Sequence, residues 1–236
     1  MHQLGHTRSA RYADHLIQTP DTFVRAPMPG MRGATAIVHA APAIGAKFTQ
    51  YTVEFEAGGT MDPARDQRFI YLLEGKIEFD GSTLNPGDYA WLPPKLSMPL
   101  RAAETTRAVV IEKPYVAVEG QTMPGLVTGT ESKIAPAALM GDASLEVRSL
   151  IPADLAFDLA VNTMTFQPGA TLPMVEVHVM EHGLLMLEGG GIYRLGNYWY
   201  PTEAGDFIWM APYLPQWFGA LGKIPAKYLI YKDWNR

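Results

Sequence analysis

"FIYLLEGKIEFDGSTLNPGDYAWLPP" (69–94) and "GLLMLEGGGIYRLGNYWYPTEAGDFIWMAP" (183–212) are two versions of one text. "LEG" stands at 73–75 and again at 187–189, and "PGDYAWLPP" (86–94) returns as "AGDFIWMAP" (204–212). The offset drifts only from 114 to 118 residues, which one small loop insertion accounts for. Self-similarity on this scale marks a duplicated supersecondary unit. Each version runs strand, glycine turn, strand, loop, strand. "KFTQYTVEFEAGG" (47–59) and "LAFDLAVNTMTFQPGA" (155–170) add a strand before each version, and "RAVVIEK" (107–113) and "AKYLIYKDW" (226–234) add one after. Glycine supplies the unusual backbone angles of the turns at "NPGD" and "EAGD". Short strands broken by frequent turns, with 22 Gly and 19 Pro, are the all-β pattern. Antiparallel strands at this spacing close into barrels or jelly rolls. The expected fold class is therefore all-β, with two tandem antiparallel β-barrel (jelly-roll) domains over residues 1–120 and 121–236. The stretch 114–146 has no clear period and reads as a crossover with a short helical piece.

Composition narrows the function classes. A length of 236 residues suits one large β domain or two small ones. The net charge is −5 and no basic cluster occurs, so a nucleic-acid partner is not expected. Cysteine is absent, which removes disulfides, thiolate metal sites and cysteine nucleophiles. No run approaches the roughly 18 apolar residues of a membrane helix, and "MHQLGHTRSARYADHLIQ" lacks the apolar core of a secretion signal. The expectation is a cytoplasmic protein with no membrane partner. Exposed barrel edges favour association, so a homo-oligomer is expected.

The chemistry concentrates in "VEVHVMEH" (175–182). Side chains of a strand alternate in direction, so Glu176, His178 and His182 share one side if the segment stays extended. A carboxylate and two imidazoles on one face suggest a metal ion. Glu181 would then face away, and both Glu181 and Glu188 read as surface or turn carboxylates.

These residues resemble the cupin superfamily, and the duplication resembles a bicupin. The first cupin motif fits the frame Gly169, Glu176-Val-His178, His182, Gly189. The ligand identities depart from it, with Glu176 where a histidine is usual and His182 where a glutamate is usual. The second motif runs from Gly205 to "APYLPQ", which puts Gln216 at the fourth-ligand position. The set becomes Glu176, His178, His182 and Gln216. The C-terminal block 182–236 and the N-terminal "TPDTFVRAPMPG" are similar to the (S)-ureidoglycine aminohydrolase family of manganese bicupins. That resemblance implies metal-dependent hydrolysis of (S)-2-ureidoglycine, a small-molecule substrate, to (S)-ureidoglycolate and ammonia. It implies Mn2+ as the cofactor, with other divalent ions open on affinity grounds. It also implies Tyr193, Tyr228 and Lys232 as substrate-binding residues, Lys232 being catalytic as well. Glu176, a carboxylate at the metal edge, is expected to bind substrate and to act as the catalytic proton shuttle.

Physical chemistry bears on each part. Sliding by the repeat offset puts Asp62, Ala64, Arg68 and Met98 at the ligand positions of the first copy. Alanine, arginine and methionine serve a hard divalent ion poorly, so the first copy is expected to be metal-free. Tyr228 and Lys232 are four apart on the last strand and share a face. A barrel tyrosine is commonly core and a strand-end lysine commonly solvated, so these roles rest on the resemblance. Trp209, Trp217 and Phe218 are expected either to wall the pocket or to be plain core. Fold alone leaves a metal-dependent dioxygenase or isomerase, or a non-catalytic ligand-binding protein, as alternatives.

Overall fold

The computed structural model describes residues 6–96 and 98–234. These residues form 21 strands and three short 3-10 helices. No helix among them is long and apolar enough to cross a membrane. The chain divides into two compact units, each with its own apolar core, and the fold is all-β, built from curled antiparallel sheets, as the repeat implies.

One unit comprises Val24–Ile134 and Asp154–Asp158. Its ten-stranded sheet centres on Thr106–Lys113, which pairs with Thr49–Met61 on one side and Gln67–Glu74 on the other. Tyr51, Val53 and Phe55 alternate inward along one strand, and Ile70, Leu72 and Val110 meet them from its neighbours. Asp158 joins this unit through buried charge. Its carboxylate accepts from Lys113 Nζ at 2.7 Å, Gln67 Nε2 at 2.6 Å and the Val116 backbone N–H at 2.9 Å.

The other unit holds the described residues up to Phe23, Ala135–Ala153, and the chain from Leu159 onward. Its main sheet has eight strands and a second sheet has three. In the smaller sheet Gly190–Leu195 lies between Tyr198–Glu203 and Gln216–Ala220. Burial alternates along Gly190–Leu195, with Gly191, Tyr193 and Leu195 inward. Phe166, Phe218 and Tyr228 pack edge and face at the centre, with ring centroids 5.0–5.7 Å apart.

The repeat reappears in detail. Gly75 and Gly189 both have positive φ, 79° and 62°. A Cβ on either would meet a backbone oxygen at 2.4 or 2.3 Å, of Thr105 or Pro225 respectively. Both turns therefore demand glycine. Trp91 Nε1 donates to Gln67 Oε1 at 3.0 Å, and Trp209 Nε1 donates to Glu181 Oε2 at 3.2 Å.

Three details differ from the sequence expectation. The division at 120/121 is displaced, because His15–Gln18 adds as a strand to Phe207–Met210 in the C-terminal unit. Arg8 anchors the same segment, bonding to Glu203 and Asp206. The crossover is more ordered than its composition suggests. Beside the short 3-10 helix Glu131–Lys133 it contains the strands Val127–Thr130, Ala137–Leu139 and Asp142–Ser149. Val127–Thr130 pairs with Asp88–Leu92 and closes the edge of the ten-stranded sheet. Finally, Glu181 does face away from the barrel core, but it is buried rather than at the surface, bonded to Trp209.

His39 makes the first unit sensitive to acid. It is 3% exposed, and its Nε2 lies 2.8 Å from Thr52 Oγ1. Burial first, and the Arg107 charge second, lower its pKa to about 3. An unfolded histidine titrates near 6.5. Between about 6.5 and 3 the unfolded chain thus holds a proton that the folded chain refuses. The stability that neutral His39 contributes is complete above about pH 6.5 and is lost as pH falls, at ~1.4 kcal/mol per pH unit. Urea titrations from pH 7 to 5 should show that decline, and His39→Gln should make it shallower by about one proton. Equal slopes for variant and wild type would contradict the assignment.

Candidate active site

The segment that carries the metal-type residues is not a strand. Between Thr171 and Glu181 only two isolated bridges form, Thr171 to Gly219 and Glu176 to Gln216. Pro173 interrupts the segment and lacks an N–H to donate. The bridge at Glu176 is nonetheless well made. Its N–H donates to Gln216 O at 2.8 Å, and Gln216 N–H returns to Glu176 O at 2.9 Å. Residues directly opposite in such a pair project to the same side, so Glu176 and Gln216 are brought together. His178 follows two residues later, its carbonyl held by Tyr213 N–H at 2.6 Å. His182 opens the strand His182–Glu188 and lies directly across from Lys232.

A cavity of about 170 Å³ gathers these groups. Its polar lining is Glu176, His178, His182, Gln216, Tyr193, Tyr228 and Lys232, all seven residues singled out in the sequence. Met164, Leu172 and Ile230 supply apolar wall, and Leu139 and Met140 reach in from the hairpin hidden in the crossover. That hairpin was missed because its turn, "MG" at 140–141, lacks the usual asparagine or aspartate, although flanking strands and a glycine were there to be read. Trp209, Trp217 and Phe218 do not line the cavity. Phe218 is core, Trp217 Nε1 donates to Leu172 O at 2.8 Å, and Trp209 points to the opposite face with Glu181.

Depth is graded. Tyr193, Tyr228, His182 and Gln216 are 1–4% exposed, whereas the side chains of Glu176 and His178 are 14% and 31% exposed. Glu176 Oε2 and His178 Nε2 are 3.1 Å apart. The His178 and His182 rings cross at 74° with centroids 5.2 Å apart. Tyr193 Oη donates to Gln216 Oε1 at 2.9 Å, which fixes which amide atom faces which way.

Burial shapes the protonation states. It lowers the His182 pKa to about 3, helped by the nearby Lys232 and His178 charges, so this imidazole is a neutral donor at working pH. Desolvation likewise lowers Lys232, opposed by the Glu176 carboxylate. Burial raises both tyrosines, Tyr193 with help from Glu176 and Tyr228 with help from Tyr193 and Glu176. Both hydroxyls stay protonated and available as donors.

Among the described residues no three carboxylate or imidazole groups converge tightly enough to be a ready-made metal cage. The donor chemistry still fits a divalent ion. Two imidazoles, a carboxylate and an amide oxygen face one cavity, and the buried His182 Nδ1 has no hydrogen-bond partner. A bare buried polar atom costs roughly 1–3 kcal/mol, a cost that coordination removes. A mixed set of two imidazole nitrogens and two oxygens suits Mn, Fe, Co or Zn more than a soft ion. The other unit contrasts at the same register. There Arg68 lies directly across from Glu112, and Arg68 Nε donates to Glu112 Oε1 at 2.6 Å. A partly buried ion pair thus stands where the C-terminal unit has His182 and Lys232.

No family model matches the chain. Among curated proteins it is 41% identical over 239 residues to a probable (S)-ureidoglycine aminohydrolase of Oryza sativa, covering 98% of this chain and 77% of that one. It is 31% identical to the (S)-ureidoglycine aminohydrolase of Escherichia coli, covering 99% and 93%. Among solved structures, a putative glyoxylate induced protein of Pseudomonas aeruginosa superposes with a TM-score of 0.89 at 31% identity, covering 99% and 93%. Oxalate decarboxylase of Bacillus subtilis, described with Mn(II) centres, superposes at 0.70 with 10% identity, covering 97% and 80%, a likeness of fold alone.

The donor set predicts an order of metal affinities. The amide oxygen of Gln216 is a weaker donor to such an ion than an imidazole. Gln216→Ala should cost about as much as a lost supporting contact, roughly 10–100-fold, and His178→Ala should cost more. Calorimetric titration of chelator-stripped protein with Mn2+ checks this, and equal losses would refute the ranking.

Proposed function

This chain belongs to the (S)-ureidoglycine aminohydrolase family, and on that premise we propose that its C-terminal cavity hydrolyses (S)-2-ureidoglycine to (S)-ureidoglycolate and ammonia with a divalent ion, Mn2+, held by Glu176, His178, His182 and Gln216. One observation carries the reading. The same small cavity brings four candidate ligands together with Tyr228 and the partly desolvated Lys232. In the reaction the C–N bond to the amine breaks, a C–O bond forms from water, and one proton passes to the departing nitrogen. When bound, the ion supplies Lewis acidity and a template for water and substrate.

The chain's own groups do the rest. Glu176 sits at mid-depth and acts electrostatically on Lys232 and both tyrosines. A carboxylate there can take a proton from water and return it to the amine. Lys232, across from His182, meets the substrate carboxylate as a cation or gives up a proton, and its lowered pKa makes the second role easier. Tyr228 remains a donor and orients the ureido oxygen. Tyr193 spends its proton on Gln216 Oε1 and so holds the amide in place. With carboxylate, amine and ureido group each fixed, water reaches one face of the carbon and one enantiomer results.

Lys232→Met should keep the metal and lose most activity, because the lysine touches substrate and not the ion. A carboxylate anchor also aligns the reacting carbon, so kcat should fall about 100-fold or more and KM should rise. Steady-state ammonia release, with metal content measured on the same samples, checks this. Near wild-type turnover at full metal content would remove Lys232 from the chemistry.

A further inference from the structure

The hairpin of Ala137–Leu139 and Asp142–Ser149 ends in a two-residue turn, Met140–Gly141, between the paired residues Leu139 and Asp142. Both turn residues have positive φ, 51° and 83°. That is the primed turn that matches strand twist, and its first position favours Asn, Asp or Gly. A methionine there bears the left-handed strain that Cβ imposes. Nothing in the turn itself asks for methionine. A Cβ on Gly141 would meet nothing within 4 Å, so the tip is not crowded. The base of the turn is pinned independently of residue 140, since Asp142 Oδ1 accepts from Ser144 N–H at 2.8 Å and from Ser144 Oγ at 2.7 Å.

The position of the tip supplies a reason. Leu139 and Met140 line the cavity, and Leu139 also packs on the core of the same unit. The other apolar lining residues, Met164, Leu172 and Ile230, are 3–6% exposed, whereas Met140 is 61% exposed. Met140 is therefore rim where the others are wall. At about 170 Å³ the cavity is smaller than the ~300–1,000 Å³ pockets that take drug-sized ligands. A substrate whose ureido oxygen is held by the deep Tyr228 would turn the terminal amide of its ureido arm toward that rim. Strained residues retained against local preference cluster where a ligand is clamped. A flexible, polarisable thioether is suited to closing over a small polar molecule of irregular outline.

We propose that Met140 is a specificity-determining residue that caps the far end of the bound substrate, the left-handed turn being tolerated for that contact. The proposal rests on the substrate reading above. Met140 is neither adjacent in sequence to the candidate ligands or Lys232 nor on a strand paired with theirs, and a thioether has no proton to move, so it acts by covering the substrate and not by chemistry.

The test uses the stable product, (S)-ureidoglycolate, and the shorter glycolate, which shares its hydroxy acid but lacks the ureido arm. Both are titrated into Mn2+-loaded full-length protein. Met140→Asn suits the turn and removes the cap, while Met140→Leu keeps apolar bulk. The expected result for Met140→Asn is a Tm equal to or above wild type, with (S)-ureidoglycolate bound about 5–20-fold more weakly and glycolate unchanged. Met140→Leu should restore most of the loss. Wild-type affinity for (S)-ureidoglycolate in Met140→Asn, or an equal loss for both ligands, would overturn the proposal. A wild type that binds glycolate but not (S)-ureidoglycolate would overturn the substrate reading itself, and the wild-type arm alone reveals that.

Discussion

The register of the strand Ala226–Asp233 is the constraint on which the site depends. It is hydrogen-bonded on both sides, to Leu159–Phe166 and to His182–Glu188. That double pairing sets Lys232 across from His182 and Tyr228 across from Met186. A slip of one residue would turn Tyr228 and Lys232 out of the barrel and bring Tyr231, which has the opposite facing, in. Edge strands tolerate such slips, but this strand has no free edge. The remaining candidate ligands are then added by lighter means. Glu176 is tied to Gln216 by two backbone hydrogen bonds, and His178 by one more to Tyr213. A rigid floor thus carries the deep residues and a loop carries the shallower ones.

Duplication explains how one fold serves two ends. The N-terminal unit retains the same pairing of strands, the same glycine turn and the same tryptophan hydrogen bond. At the paired positions it has Arg68 and Glu112 where the other unit has His182 and Lys232. Arg68 also donates to Asp62 O at 2.9 Å, and Tyr51 Oη donates to Glu112 at 3.2 Å. Arg68 thus spends its charge within its own unit, and removing Glu112 would strand a buried guanidinium. The C-terminal unit leaves its deep nitrogen on His182 bare and its lysine partly desolvated, which is the arrangement of a site and not of a strut.

Much of this was legible in the sequence for a definite reason. The repeat fixed the fold class, because two copies of a glycine-punctuated strand pattern constrain each other. The frame of Glu176, His178, His182 and Gln216 located the cavity, since motif spacing survives even where local structure is irregular. What the sequence hid was long-range. Nothing local in "HLIQ" (15–18) says that it will extend the sheet of the distant C-terminal unit. The alternation of "VEVHVMEH" reads as a strand, yet the valines at 175, 177 and 179 are exposed and the segment meets its neighbour only at a bridge. Glu181 looked like a surface carboxylate because its partner, Trp209, is 28 residues away. Met140 was lost inside a stretch with no period, where a two-residue turn is too short to register.

The central claim is that one metal-bearing cavity in the C-terminal unit performs the hydrolysis. The most direct measurement is ammonia release from (S)-ureidoglycine by one preparation in three states: as purified with its metal content determined, after removal of metal by chelator, and after Mn2+ is returned. The account predicts one ion per chain, activity lost with the ion and recovered with it. Undiminished ammonia release from metal-stripped protein, or none from protein carrying a full complement of metal, would contradict it.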